Sequence, residues 1–191
     1  MTNSEQDGEQ IFLLEALRKF KQIGSILPSS KYLGKSMAKF VSGKEGFVVV
    51  ELGAGTGVIT KEILKKLSKT GRLIAFENNK DLAEYLRQNI MDPRLIVLEK
   101  NVLSMKKYLN DLGYSKVDCI ISGLPLGTIK KSDRTKILET IQKLLKKDGA
   151  YIQFQYFLSS LSMIKKHFSR TKIKNYELRN FPPAFVYECK K

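Results

Sequence analysis

Histidine and cysteine are nearly missing from this chain of 191 residues: His167 is the one histidine, and Cys119 and Cys189 are the two cysteines. No cluster of these residues has metal-ligand spacing, so no bound metal is expected. Both cysteines sit in apolar, strand-like runs, which suits buried thiols rather than a disulfide. Long apolar runs are missing too. None approaches the roughly 20 residues that a membrane-spanning helix needs. The first ten residues are polar and acidic, unlike a signal peptide. A cytoplasmic location is the expectation. Acidic residues are scarce: 19 Asp and Glu face 34 Lys and Arg, a formal net charge of +15. A surface that basic attracts polyanions, either nucleic acid or the anionic face of a membrane, unless it is simply a solvated lysine-rich surface. What remains is an ordinary globular balance, 42% hydrophobic and 28% charged, in a length that suits one domain with a full core.

Residues 11–23 place Leu13, Ala16, Leu17 and Phe20 at helical spacing beside Arg18, Lys19 and Lys21, and Gly24 and Pro28 end that helix. The apolar face with a basic margin fits either a helix lying in a membrane interface or one packed on the domain. A second helix is expected from about Ser30 to Val41. From residue 47 the pattern alternates. Strands are expected at 47–51, 72–76, 94–98, 117–121 and 150–156, with helices at 58–68, 80–90, 104–110 and 131–146 between them. This alternation predicts an α/β fold with a mostly parallel sheet covered on both faces. Segments 172–179 and 184–189 flank Phe181-Pro182-Pro183 and read as an antiparallel hairpin at the sheet edge, where proline is tolerated. The division expected is an N-terminal helical segment, 1–46, and a Rossmann-like domain, 47–191.

The strongest signal is Glu51-Leu52-Gly53-Ala54-Gly55-Thr56-Gly57, directly after a strand and opening a helix. Glycines allow a tight turn and a close approach of backbone to ligand. The spacing is neither the dinucleotide fingerprint nor a phosphate loop. Glu51 before the loop would repel phosphate and suits an ammonium or a sulfonium. Glu77, at the end of the second strand, is placed to accept hydrogen bonds from ribose hydroxyls, and Asn101, after the third, to receive an adenine edge.

These features resemble the class I methyltransferases: the glycine segment resembles their first cofactor motif, and Phe76-Glu77 the second. The resemblance implies a seven-stranded sheet with an antiparallel edge strand and S-adenosylmethionine as cofactor. It also implies cofactor contacts at Ser30, Asn78, Val102 and Ser122 beside those in the loop. Asn101 stands where the family usually carries aspartate. The chain also resembles the short bacterial phospholipid N-methyltransferases, which convert phosphatidylethanolamine toward phosphatidylcholine. That likeness rests on Gly24-Ser25-Ile26-Leu27-Pro28-Ser29-Ser30, the glycine loop, Ser122-Gly123-Leu124-Pro125-Leu126, Gln153-Phe154-Gln155-Tyr156 and Arg179-Asn180-Phe181-Pro182-Pro183-Ala184. The ribosomal RNA adenine dimethyltransferases are related and carry an added C-terminal helical domain.

Residues 122–126 mark where methyl transfer is expected, because ligands sit at the carboxyl ends of such strands. Enzymes that methylate base amines usually place an Asn or Asp there and a stacking aromatic after the proline. Here Ser122-Gly123 replaces the amide and Leu126 the aromatic, which favours an aliphatic substrate over a base. Tyr32, Ser122, Gly123, Leu124 and Pro125 are the candidate catalytic positions. Tyr32 and Tyr156 are candidates for the substrate amine, Tyr32 by cation–π contact, and Arg179 for a phosphodiester. No convincing general base is legible, and His167 is read as incidental. The expected enzyme is a monomer, attached peripherally to an anionic membrane and acting on an aminophospholipid. An RNA adenine N-methyltransferase is the alternative.

Overall fold

The computed structural model describes residues 29–156, 158–180 and 182–191. The helix expected at 11–23 and Phe181 of the Pro-Pro turn lie outside the described residues. Helix α1 (Lys31–Ala38) comes first. Then follow β1 (Val48–Leu52), α2 (Val58–Leu64), β2 (Arg72–Glu77), α3 (Lys80–Asn89), β3 (Leu95–Glu99), α4 (Met105–Asp111), β4 (Val117–Ser122) and α5 (Lys131–Leu144). The described chain closes with β5 (Leu145–Gln155), α6 (Leu161–His167), β6 (Arg170–Glu177) and β7 (Ala184–Lys190).

The seven strands form one sheet in the order β3-β2-β1-β4-β5-β7-β6. Strand β1 sits inside, parallel to β2 and β4, and all five of its residues are buried. That explains its unbroken Val48-Val49-Val50 run, since a strand covered on both faces needs no polar alternation. One face carries Phe76, Met105, Ile137, Leu138, Ile164 and Phe168. The other carries Ile59, Ile63, Val186 and, from α1, Leu33 and Met37. The hairpin at the end of the chain forms. Strand β7 runs antiparallel to β5 and lies inside β6, which therefore runs in the same direction as β5.

Three details depart from the pattern read in the sequence. Helix α5 stops at Leu144 rather than 146, because Leu145 turns extended (φ −66°, ψ 138°). Leu145 then pairs with Val117, and the pairing slips before Cys119 meets Ala150, so residues 146–148 bulge out exposed and β5 begins early. Helix α6 ends at His167, in a stretch that the sequence leaves open between surface helix and loop. It is one short amphipathic segment whose Ile164 is buried, as is Phe168 just after it. Both cysteines are buried free thiols, pushed up to about 12 by burial. Among the described residues no helix is long and apolar enough to cross a membrane, and no cluster could hold a metal ion.

Candidate functional site

The glycine segment turns sharply off β1. Gly53, Gly55 and Gly57 have φ of 75°, 57° and 79°, a region that L side chains avoid. The Gly53 N–H donates to the Phe76 carbonyl (2.9 Å), which ties the loop to the end of β2. Glu77 completes the tie: its Oε2 accepts the Gly55 N–H and its Oε1 the Asn79 N–H, both at 2.8 Å. Each carboxylate oxygen keeps acceptor capacity for a ligand hydroxyl. Asn101 caps the turn Val102–Ser104, its Oδ1 accepting the Leu103 N–H (2.9 Å), and its amide N–H₂ is left to donate.

Around this loop lies a cavity of about 590 Å³, the size of a small-molecule site. Gly53, Ala54, Gly55, Thr56, Glu77, Asn78, Asn101 and Val102 line it, and Gly123, Leu124 and Pro125 line it from β4. A Cβ at Gly55 would meet no protein atom within 4 Å, so the backbone is bare toward open space. A glycine-rich loop without a side chain, a carboxylate above it and an amide donor beyond fit a nucleoside joined to an amino-acid end.

Other expected positions do not line the cavity. Gly57 sits behind the loop, where a Cβ would stand 2.7 Å from Leu86 Cδ2 and Ile90 Cδ1. Ser122 is fully buried, its Oγ accepting the Leu124 N–H (3.2 Å), so it shapes the turn. Leu126 belongs to the core. Ser30 caps α1 through the Leu33 N–H, and its own N–H donates to Asn180 Oδ1 (2.8 Å). Tyr32, Tyr156 and Arg179 gather outside. The Arg179 guanidinium lies 4.4 Å over the Tyr32 ring and pairs with Glu177, which it holds below the usual carboxylate range. Tyr156 packs edge-on against Phe154 (5.6 Å).

The sequence reading missed Ile129, Asp133 and Phe154, all of which line the cavity. Phe154 supplies an aromatic surface that the loop itself lacks. Its signal was present in the Gln153-Phe154-Gln155-Tyr156 strand, whereas Asp133, an acid in the first turn of α5, belongs to no motif. The two glutamines have a role of their own: Gln153 Nε2 (3.1 Å) and Gln155 Nε2 (2.9 Å) both donate to the Leu124 carbonyl.

Glu51 is buried behind the loop. Thr60 Oγ1 donates to its Oε2 (2.7 Å), and its Oε1 has no partner. Burial first, and the nearby Glu77 charge second, push its carboxyl up from 4.5 to about 8. Between those values the folded protein holds a proton that the unfolded chain has released, so this contribution to stability is lost as pH rises through the window. Glu51→Gln keeps the neutral form at every pH. The denaturation midpoint of wild type should therefore fall relative to Glu51→Gln across that window; a constant gap would mean that Glu51 ionises normally.

Residues 49–149 match the family described as a methyltransferase domain. The chain is 29% identical to an ornithine lipid N-methyltransferase of Singulisphaera acidiphila, over 94% of each chain. It is 33% identical to a tRNA (guanine(10)-N2)-dimethyltransferase of Methanocaldococcus jannaschii over 73% of this chain, and spans 40% of that protein. In fold it is similar to a SAM-dependent O-methyltransferase of Thermotoga maritima, with a TM-score of 0.66 and 12% identity over 90% of this chain and 69% of the other. Glycine loop, acidic clamp, sheet order and family match agree: the chain belongs to the methyltransferase domain family and is an S-adenosylmethionine-dependent enzyme.

Proposed function

We propose that this enzyme methylates the primary amine of a membrane aminolipid, phosphatidylethanolamine foremost, with an ornithine lipid as the other member of that class. The observation that carries the reading is the Leu124 carbonyl. Two glutamine amides fill its two lone pairs, so it has none left for an exocyclic base amine. The amide grip is missing as well, because Gly123 brings no side chain. The near full-length likeness to a lipid methyltransferase supports the same conclusion.

S-adenosylmethionine supplies a methyl group on a sulfonium, open to in-line attack by a neutral amine. The protein's part is alignment and exclusion of water, which can lower a barrier by several kcal/mol. Glu77 and Asn101 hold the nucleoside end. Leu124, Pro125, Ile129 and Phe154 form the apolar wall on the substrate side. Glu77 is engaged with backbone N–H groups, whereas the Asp133 side chain has no hydrogen bond or ion pair among the described residues and meets the cationic headgroup. Attachment is peripheral.

The test is the destination of a labelled methyl group offered with phosphatidylethanolamine, ornithine lipid or total RNA. Label is expected in the organic phase, and Asp133→Asn should raise the lipid KM several-fold without changing cofactor affinity. Phe154 gives the cavity a face that could take a base, which favours RNA as the second reading. Label in methyladenine with blank lipids would establish it and end the lipid proposal.

A further inference from the structure

Strand β6 runs in the direction of β5, so Tyr176 and Leu178 come to the end of the sheet where Phe154 lines the cavity. Leu158 lies there too, three residues beyond the last residue of β5. All three are exposed, Leu178 to 69%. Tyr176 stacks on Phe185, whose register neighbour on β5 is Gln155. Asn180 accepts the N–H of Ser30, next to Ser29 in the cavity wall. Apolar side chains thus stand in water along the shoulder of the cavity mouth.

The helix and strand that carry them are rich in cations, set against Glu177 and, on the facing strand β7, Glu188, which pairs with Lys174. Between residues 158 and 180 there are six Lys and Arg, namely Lys165, Lys166, Arg170, Lys172, Lys174 and Arg179, and one acid, Glu177. Glu177 is buried against Arg179. All six basic residues are exposed. Exposed apolar groups set in a basic field match the two layers of an anionic bilayer surface, acyl boundary and headgroups. A nucleic acid would use the charge and leave Leu158 and Leu178 without a role.

We propose that this shoulder, with Leu158, Tyr176 and Leu178 at the mouth and the lysines of β6 and α6 running from it along the same edge of the sheet, is a membrane-docking surface that seats the cavity mouth on anionic lipid. This rests on reading the substrate as a membrane lipid.

The chain contains no tryptophan, so a single introduced indole reports on its own position. Leu178→Trp should blue-shift in vesicles of equal parts phosphatidylglycerol and phosphatidylcholine and be quenched by bromine on the acyl chains. Met91→Trp is the control, 87% exposed beside α3, near the opposite edge of the sheet. It should do neither. Replacing Lys165, Lys166 and Lys172 by Gln in the full chain should weaken co-sedimentation with the same vesicles by roughly fivefold per charge. An unquenched Leu178→Trp in protein that pellets with vesicles overturns the proposal, as does unchanged sedimentation of the lysine variant. A water-soluble short-chain aminolipid separates this outcome from failure of the substrate reading. If the surface alone is wrong, soluble and vesicular lipid are still methylated. If the substrate reading is wrong, neither is methylated, and the quenching result stands by itself.

Discussion

Glu77→Ala should weaken S-adenosylmethionine binding by about 1–3 kcal/mol, which is roughly 5- to 150-fold in affinity. The carboxylate has two tasks. Facing the cavity, it is the charged acceptor that the ribose hydroxyls of a bound cofactor would meet. Facing the protein, it receives the N–H groups of Gly55 and Asn79 and so fixes the glycine loop against the start of α3. Alanine removes both, leaving donors on the loop and on the ligand without an acceptor in a partly desolvated place. Glu77→Gln keeps one carbonyl oxygen and should fall between the two. Calorimetric titration with S-adenosylmethionine and its demethylated product measures the effect, with a thermal melt to show that the variant is folded. An unchanged Kd in folded Glu77→Ala would remove Glu77 from the cofactor site.

Gly57→Val should destabilise the fold itself, by about 2–5 kcal/mol. The left-handed backbone costs a β-branched residue about 1–2 kcal/mol. Forcing a side chain against Leu86 and Ile90 at 2.7 Å adds an overpacking cost of about 1–3 kcal/mol. Leu86 is fully buried and has little room to yield. Gly55→Val provides the contrast. It bears the same kind of backbone cost, but its side chain meets no protein atom and enters the cavity instead. One variant should lose stability and the other mainly cofactor binding. Urea midpoints for both, set beside cofactor titration of Gly55→Val, decide the point. Equal midpoints would mean that the packing behind the loop is softer than drawn.

Much of the fold was legible because its signals are local. A β-branched run that stops at glycine, then a helical period, repeats along the chain, and each unit needs only its neighbours to be read. The glycine wall of the cavity was legible for the same reason, since the glycine segment and Glu77 lie within one β-α-β unit. The substrate side was not. Phe154, Ile129 and Asp133 come together only through the order of β4, β5 and α5 in space. Ser122 looked like a contact, yet it is spent on the Leu124 N–H. Glu51 looked as though it faced the ligand, yet cover on both faces of β1 holds it inside. Alternation along a strand cannot reveal that, because a strand covered on both sides has no outer face.

The place of β7 between β5 and β6 bears on how the chain can be made. During synthesis β6 leaves the ribosome first, but its only partner in the sheet among the described residues is β7, which is still to come. Until residues 184–190 emerge, β5 presents a bare edge and β6 has nothing to pair with, and such unpaired edges invite association between nascent chains. Translation can therefore lay down the cofactor-binding half of the sheet, β1 to β4, early, while the side proposed to meet the membrane locks into place in a single late step.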